Sequence, residues 1–393
     1  MHPLMLCGVL LASLVFGPSL PAAESRLEKR NEAIRVSAFA RALSREMPPE
    51  VRDLPRFGRI EWTVKSMPFI QPGPDAGVSG AGMVAVGSSI YFLGGFIPGG
   101  DGTGQPGHRT SRWAYRYDTK SGNWDRLPDL PGRREYTRSL ASGGQVYLLG
   151  GGLQKPRPGL PYEPRDEVFR GDVAMPESGW ATIPSLNVAR THMAVGAVGS
   201  HLVVVGGNRY DYSDGGYSFR TIQGVTETLD RSNLQRGWRQ RTSIPGGPRG
   251  WCASVSLNGR LYVLGGLSFA KTKPGVRGAK IKYRETLAYD PVVDKWTRHA
   301  DPPIAISGWE GAAYRDRYII AIGGVARHWN DLAFVYDTRA DRWLRFVKPL
   351  PVGAVLNDAG VCIIDDTIYV AGGEGPGGSH FDHFLIGKIM ATP

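Results

Sequence analysis

The chain contains six short apolar runs that each end in a pair of glycines. Runs of this length are typical of buried β-strands, and glycine pairs commonly end such runs. The first glycines of successive pairs lie 56, 56, 59, 58 and 49 residues apart, and a period of about fifty residues predicts a propeller or a solenoid. We number the repeats 1 to 6 by these runs: IYFLGG (90–95), VYLLGG (146–151), LVVVGG (202–207), LYVLGG (261–266), YIIAIGG (318–324) and IYVAGG (368–373).

A tryptophan recurs in register with the glycine pairs. Each of six tryptophans precedes a glycine pair by 26 to 32 residues, and a proline-bearing turn follows it. In repeats 1, 4 and 5 a second strand-like run after the glycine pair ends in Tyr-Asp. The tryptophans are Trp62, Trp124, Trp180, Trp238, Trp296 and Trp343, and the Tyr-Asp pairs are at 117–118, 289–290 and 336–337.

Each repeat therefore predicts four short strands, which we call A to D. Strand A follows the proline turn, and a tight hairpin such as Asn258-Gly259 leads to strand B. Strand B ends at the glycine pair, strand C carries Tyr-Asp, and strand D carries the tryptophan. Four strands per repeat around one axis predict an all-β propeller. These markers resemble the Kelch repeat, and the resemblance implies a six-bladed Kelch β-propeller over residues 58–390.

The two ends of the repeat region are expected to pair with each other. Repeat 6 has no tryptophan after its glycine pair, whereas Trp62 precedes the first glycine pair. We therefore predict that residues 59–65 form strand D of the last blade, beside a strand C at residues 383–389. This N-terminal strand would close the last blade and remove the exposed edges of an open ring.

Two segments precede the predicted propeller. Residues 1–23 resemble a signal peptide, with an apolar run from Leu4 to Phe16 and a small-residue cleavage site after Ala23. An uncleaved N-terminal anchor is the alternative, and no other stretch is apolar enough to span a membrane. Residues 24–57 predict a short basic amphipathic helix that packs on the propeller, lies on an anionic surface or stays mobile. We expect a periplasmic or secreted protein.

Charge and cysteine content narrow the classes of partner. The formal net charge is +11, so an exported protein of this kind favours anionic partners such as acidic sugars or envelope polymers. Nucleic acid is a poor partner outside the cytoplasm. Beyond the signal peptide, Cys252 and Cys362 both lie in strand-like runs, which predicts core thiols and a fold that does not depend on disulfides.

The strand order places the long B–C loops and the starts of the A strands on one face, where binding is expected. Counting back from the glycine pairs, Arg134, Arg190 and Arg249 occupy the same position, sixteen residues before the first glycine. Guanidinium groups converging near the axis would hold a carboxylate, sulfate or phosphate. The alternative is that these arginines pair with loop carbonyls and neighbouring acids.

Other polar and aromatic residues enter the same face. Fourteen residues before the first glycine the repeats carry Gly80, Tyr136, His192, Trp251, Trp309 and Asp358. We predict that His192, Trp251, Trp309 and Asp358 join the three arginines in binding substrate. Glu310 and Glu374 are the candidate acids or bases of a catalytic site. Structural ion pairs are the alternative for each acid.

Two further motifs, a G-x-G-x-x-G and an H-x-x-H, do not predict a nucleotide site or a metal site. Gly373, Gly375 and Gly378 fit G-x-G-x-x-G, but no helix can follow to receive a phosphate. His380 and His383 would point to opposite faces of a strand, so we predict no metal site there. The sequence also lacks a G-x-S-x-G nucleophile motif. We therefore expect neither a metal nor a cofactor.

A narrower resemblance is to the bacterial sialic-acid mutarotases, the N-acetylneuraminate epimerases. The segment IYVAGGEGPGG (368–378) resembles their last-blade segment, and KPGVR (Lys273 to Arg277) resembles a segment with a functional arginine. The resemblance implies an acidic sugar ligand and a functional role for Arg277. The family has a glutamate after the glycine of that blade, where this chain has Leu267. Glu310 or Glu374 would have to supply the acid.

Three functional hypotheses follow. The first is an exported Kelch propeller that binds an anionic sugar or glycan on its loop-rich face and, as an enzyme, acts as a mutarotase-type epimerase with Glu310, Glu374 and Arg277. The second is a non-catalytic propeller that presents its loops to a protein partner, such as an envelope protein. The third is an accessory domain of a polysaccharide system.

Overall fold

The computed structural model describes residues 48–391 apart from 72–75, 101, 103–108, 158–159, 212–217, 271–277, 328, 348–349 and 352–355. The predicted signal peptide and nearly all of the predicted extension therefore lie outside the described residues. The described chain begins with a one-turn helix, α1 (Pro49–Arg52), and a long strand, β1 (Arg56–Ser66). Val51 of α1 is buried beside repeats 4 and 5.

Repeats 1 to 4 each form a separate four-stranded antiparallel sheet, with strands A to D adjacent in that order. Three of these repeats also carry a two-stranded hairpin in the B–C loop. Repeat 1 comprises β2 (Gly82–Val86), β3 (Ser89–Leu93), β4 (Ala114–Asp118) and β5 (Asn123–Arg126). Repeat 2 comprises β6 (Arg138–Ser142), β7 (Gln145–Leu149), the hairpin β8 (Gly152–Arg157) and β9 (Leu160–Pro164), β10 (Val168–Asp172) and β11 (Trp180–Ile183).

The next two repeats have the same organisation. Repeat 3 comprises β12 (Ala194–Val198), β13 (His201–Val205), the hairpin β14 (Asn208–Asp211) and β15 (Ser218–Ile222), β16 (Thr226–Asp230) and β17 (Arg239–Arg241). Repeat 4 comprises β18 (Ala253–Leu257), β19 (Arg260–Leu264), the hairpin β20 (Leu267–Phe269) and β21 (Lys280–Lys282), β22 (Thr286–Asp290) and β23 (Lys295–His299).

The remaining strands form one eight-stranded sheet. Its order is β24-β25-β26-β27-β1-β30-β29-β28. β1 is antiparallel to β30 from Gly58 to Ser66 and makes only a short, irregular parallel contact with β27. The strands are β24 (Ser307–Tyr314), β25 (Tyr318–Val325), β26 (Ala333–Asp337), β27 (Arg342–Phe346), β28 (Gly360–Ile364), β29 (Thr367–Ala371) and β30 (His383–Ala391).

The A strands of successive repeats pack against one another around a common axis. Contacts run from β2 to β6, β12, β18, β24 and β28, and then back to β2. The described chain is thus all-β apart from short helical turns, in a propeller-like arrangement. Each sheet buries apolar side chains against its neighbours, so the core is divided among several inter-sheet clusters.

The glycine pairs join each repeat to the next. In all six repeats the N–H of the second glycine donates to a backbone carbonyl just before strand A of the following repeat, at 2.5 to 2.9 Å. The first glycine has a positive φ, and a Cβ there would lie 2.2 to 2.7 Å from the same carbonyl oxygen. A side chain at this position would therefore push the repeats apart. The pairs of glycine and carbonyl are Gly95 and Arg134, Gly151 and Arg190, Gly207 and Arg249, Gly266 and Ile306, Gly324 and Leu356, and Gly373 and Val78.

The strand D tryptophans make a second inter-repeat contact. The indole N–H of Trp180, Trp238, Trp296 and Trp343 donates to a carbonyl of the preceding repeat, at 2.8 to 3.0 Å. Trp238 and Trp343 are buried, and a buried indole needs such an acceptor because an unpaired N–H away from water is costly. The recurring tryptophan is therefore explained by a recurring interface.

Cys252 and Cys362 are buried free thiols, as predicted. Burial raises the pKa of the Cys252 thiol to about 12, so neither its packing nor its protonation suits a nucleophile. No helix in the described parts of the chain is long and apolar enough to cross a membrane.

We expect Gly206→Ala to destabilise the protein more than Gly199→Ala. Both glycines have nearly the same positive φ, 62° and 58°, so the cost of a left-handed alanine, about 1 to 2 kcal/mol, is shared. At Gly206 the new Cβ would lie 2.2 Å from the Arg249 carbonyl oxygen, whereas at Gly199 it meets nothing. The clash should add about 1 to 3 kcal/mol, measured by urea unfolding. Equal losses in the two variants would contradict the close approach of the repeats.

Candidate functional site

A cavity of about 290 Å³ opens where the A strands begin, on the face that carries the B–C hairpins. Its walls come from repeats 2 to 6, so no single repeat contains the site. The volume is close to the lower end of the range typical of small-molecule sites, about 300 to 1,000 Å³.

Six equivalent residues form a ring around the axis, which we call the axial ring, and four of them line the floor of the cavity. Each has a positive φ between 49° and 61°, or 70° at one glycine. In this conformation the backbone N–H of most members donates to the carbonyl of the equivalent residue in the preceding repeat, as in His192 to Tyr136 at 3.1 Å and Trp251 to His192 at 3.0 Å. The axial ring consists of Gly80, Tyr136, His192, Trp251, Gly308 and Asp358.

Three neighbouring members of the axial ring form an aromatic shelf. The rings of Tyr136 and His192 are stacked at a centroid distance of 4.3 Å, and those of His192 and Trp251 are also 4.3 Å apart. His192 Nδ1 lies 2.8 Å from the hydroxyl of the buried Thr191. The structure places His192 and Trp251, two of the predicted binding residues, at the cavity. It adds Tyr136, which occupies the equivalent position in repeat 2.

Glu374 stands at one end of the aromatic shelf. Its carboxylate accepts a hydrogen bond from the Tyr136 hydroxyl at 2.6 Å and lies 3.4 Å from the Ser79 hydroxyl. His380 Nε2 is 3.9 Å from the same oxygen. The buried Tyr136 hydroxyl beside this carboxylate has a pKa well above its ordinary value, because burial and Glu374 both disfavour a second negative charge.

Asp358 is a second carboxyl group at the cavity floor. Its side chain is 2% exposed and lies 3.7 Å from His192 Nε2. The Asn357 amide donates to it at 2.8 Å. Burial, followed by the nearby Glu374 carboxylate, raises the pKa of Asp358 well above its ordinary value. Asp358 therefore holds a proton under conditions in which an exposed aspartate is ionised.

Glu310 lies below the floor, in a smaller cavity of about 70 Å³ on the axis. Arg138 Nη2 is 2.9 Å from Glu310 and 3.7 Å from Asp358, a close ion contact that links the two levels. Burial raises the pKa of Glu310 to about 7, and the opposing effect of Arg138 is smaller. Glu310 does not line the cavity above the floor, and its link to that cavity runs through Arg138 and Asp358.

Two lysines face the cavity from the hairpin of repeat 4. Lys280 and Lys282 lie on β21, and the Lys282 ammonium donates to the carbonyls of Val325, at 2.6 Å, and Ala326. Burial lowers the pKa of Lys282 to about 8. Its charge is therefore largely present at neutral pH.

The three arginines are not arranged as the first hypothesis required. None lines the cavity of about 290 Å³, and each is at most 2% exposed, although Arg134 lines a separate pocket of about 400 Å³. They instead pair with neighbouring acids and loop carbonyls, which was the alternative interpretation. The ion pairs are Arg134 with Glu167 at 2.9 Å, Arg190 with Glu227, and Arg249 with Glu285 at 2.5 Å. Their remaining N–H groups donate mainly to loop carbonyls, as from Arg190 to Gly206 at 2.9 Å and from Arg249 to Pro245 at 2.9 Å. These partners hold the loops, and none of the three guanidinium groups lines the cavity that contains Glu374.

Trp309 lies away from the cavity, in contrast to the prediction. It is fully buried, donates to the Leu264 carbonyl at 3.0 Å and stacks on Trp343 at 6.0 Å. The hairpin between β24 and β25 has three turn residues, Arg315 to Arg317, where the other A–B hairpins have two. In repeat 5 the residue fourteen positions before the first glycine is therefore shifted by one from the axial position, which Gly308 occupies.

Three other candidate site residues remain to be placed. Asp358 and Glu374 line the cavity, whereas Arg277 lies outside the described residues. Arg138 and the two lysines were missed, because each occurs at its position in one repeat only and no column marks it. Within the described parts of the chain, no group of three histidine, cysteine, aspartate or glutamate side chains is placed to hold a metal ion.

We expect Glu310→Gln to flatten the pH dependence of stability between about pH 4.5 and 7. The pKa of Glu310 is raised in the folded protein to about 7, so the unfolded chain releases this proton first and stability falls as pH rises through that window. Across this window the difference in free energy of unfolding between wild type and variant should change by about 3 kcal/mol. Urea unfolding at several pH values measures it, with the exposed Glu177 changed to Gln as control. A constant difference across the window would show that Glu310 ionises normally.

Comparison with known proteins agrees with the repeat pattern. Residues 77–131 match the family model of the Kelch motif. The chain is 23% identical to Kelch-like protein terF of Aspergillus terreus over 64% of this chain and 50% of that protein. It is 25% identical to human Kelch-like protein 34 over 65% of this chain and 37% of that protein. The matched region thus spans half or less of these relatives.

A shorter similarity points to a different kind of protein. Over 29% of each chain, the sequence is 28% identical to N-acetylneuraminate epimerase of Salmonella typhi. The comparisons and the glycine-pair contacts agree on a Kelch motif in a propeller-like fold. The chain carries a Kelch motif in an all-β, propeller-like fold and is similar both to Kelch-like proteins and, in part, to N-acetylneuraminate epimerases.

Proposed function

We propose that the cavity binds an acidic monosaccharide or the end of an acidic glycan and exchanges protons at its anomeric centre. The observation that carries the proposal is the aromatic shelf ending at Glu374, with its 2.6 Å contact to Tyr136. The faces of aromatic rings carry partial negative charge and attract the C–H groups on one face of a sugar ring. A carboxylate beside the shelf can then reach the hydroxyl groups at the ring edge.

The two carboxyl groups at the floor suit anomer exchange. Ring opening requires a base that removes the anomeric hydroxyl proton and an acid that protonates the ring oxygen as its bond to the anomeric carbon breaks. The open-chain carbonyl then rotates, and the reverse steps close the ring on its other face. Asp358 holds the proton needed for the acid, and Glu374 is the candidate base. Each proton is returned on ring closure, so the reaction needs no cofactor.

The proposed architecture around this site has six blades. The eight-stranded sheet would comprise two of them, repeat 5 with β24 to β27 and repeat 6 with β28 to β30 plus β1. The nine-residue antiparallel pairing of β1 with β30 and the slight contact of β1 with β27 support this division. So does the hydrogen bond from Gly373 back to Val78. β1 is then the N-terminal strand that closes the last blade.

We also propose that the protein is exported, with residues 1–23 as a cleaved signal peptide. The apolar run and the small residues before Glu24 support this inference. A periplasmic or extracellular site would give a protein of net charge +11 access to acidic glycans.

Exchange spectroscopy by NMR tests the catalytic proposal. Added at micromolar concentration, the protein should accelerate the exchange between the two anomers of an acidic sugar, measured for D-glucuronate and N-acetylneuraminate. Glu374→Gln should reduce that acceleration by about a hundredfold or more, because general acid–base groups contribute about this much. Glu177→Gln, at an exposed site, is the matched control.

Binding measurements on the same samples distinguish the alternative functions. Binding of an acidic sugar without acceleration would leave a carbohydrate-binding propeller. The similarity to Kelch-like proteins favours, as a second candidate, a propeller that binds a protein partner, for example in the envelope. Absence of sugar binding, together with capture of a partner that survives Trp251→Ala, would replace our proposal with that one.

A further inference from the structure

Resting on the proposed function, we infer that the cavity selects a hexuronic acid over a 2-keto acid sugar. The two classes differ in where the carboxylate lies relative to the anomeric hydroxyl. In a hexuronic acid these groups are on different carbons, on either side of the ring oxygen. In a 2-keto acid sugar one carbon carries both. The cavity separates its own charges in a way that matches the first class.

The Glu374 carboxylate lies on one side of the cavity, and Asp358 lies at its floor. Glu374 contacts Ser79 of repeat 1 and Tyr136 of repeat 2. Asp358 of repeat 6 reaches towards His192 of repeat 3. An anomeric hydroxyl must approach these carboxyl groups to exchange protons.

The lysines lie on another side. Lys280 and Lys282 are carried by the repeat 4 hairpin, and Lys282 is anchored to the carbonyls of Val325 and Ala326 in repeat 5. An ammonium group has three protons to donate. Two are used by these carbonyls, which leaves one for a ligand oxygen in the cavity that Lys282 lines. A carboxylate is the oxygen group that such a half-buried cation stabilises most.

A hexuronic acid satisfies both sides at once. Its equatorial carboxylate and equatorial anomeric hydroxyl diverge from the ring, so one can meet Lys282 while the other meets Glu374. A 2-keto acid sugar would bring its carboxylate to the acids together with the hydroxyl. Repulsion between like charges is strong where water is excluded. Placing the same carboxylate at Lys282 would instead withdraw the hydroxyl from Glu374.

Affinities of the full-length protein for three sugars test the inference. We expect D-glucuronate to bind about tenfold tighter, or more, than either N-acetylneuraminate or neutral D-glucose, as one charge-assisted hydrogen bond would give. In Lys282→Met the ratio between glucuronate and glucose should fall from about tenfold to about one. Lys282→Arg, which keeps the charge, should retain most of the ratio.

The control is Lys295→Met, which removes an exposed lysine from β23 in the same repeat and should leave all three affinities unchanged. Thermal unfolding identifies any variant that loses its fold, and Lys282→Arg then decides the test. If N-acetylneuraminate binds as tightly as glucuronate or tighter, the inference is overturned and the proposed function stands. If neither acidic sugar binds, the proposed function itself fails.

Discussion

The structure depends on one repeated contact, the hydrogen bond from the second glycine of each pair to a carbonyl of the next repeat. Its length of 2.5 to 2.9 Å is possible only because the first glycine presents no Cβ to that carbonyl oxygen. The contact sets the spacing between sheets, and the tryptophan indoles fill the outer part of the same interfaces. A glycine pair that looks like a loop signal in the sequence is therefore an interface element.

The same spacing creates the cavity floor. Because successive repeats approach closely, five of the six axial-ring residues, which lie at or just before the start of the A strands, donate their N–H around the axis from a backbone with positive φ. Glycine occupies the position in two repeats. In three others a tyrosine, a histidine and a tryptophan adopt the strained conformation, and the sixth carries the buried carboxyl group of Asp358. Backbone strain at non-glycine residues is often retained where it serves a site.

Burial decides which charges can act on a ligand. The three arginines are almost fully buried, each is paired with its own carboxylate, and none of them lines the cavity that contains Glu374. Lys282 is only half-buried and keeps a donor towards the cavity. Below the floor, Arg138 joins Glu310 to Asp358, so the protonation of the floor is coupled to a group outside the cavity.

The sequence by itself determined the repeat, the four-strand order and the recurring tryptophan of strand D, because the glycine pair and the tryptophan each recur six times and each copy reports the same local physics. It also placed His192, Trp251, Asp358 and Glu374 on the loop-rich face. Only the tertiary structure decided which side chains face the cavity. The direction of the arginines depends on partners more than thirty residues away, and the position of Trp309 depends on one extra residue in a hairpin turn. The three arginine–glutamate pairs recur in repeats 2 to 4, but each forms only when folding brings distant segments of one repeat together. The extra turn residue occurs in repeat 5 alone, so it leaves no periodic trace.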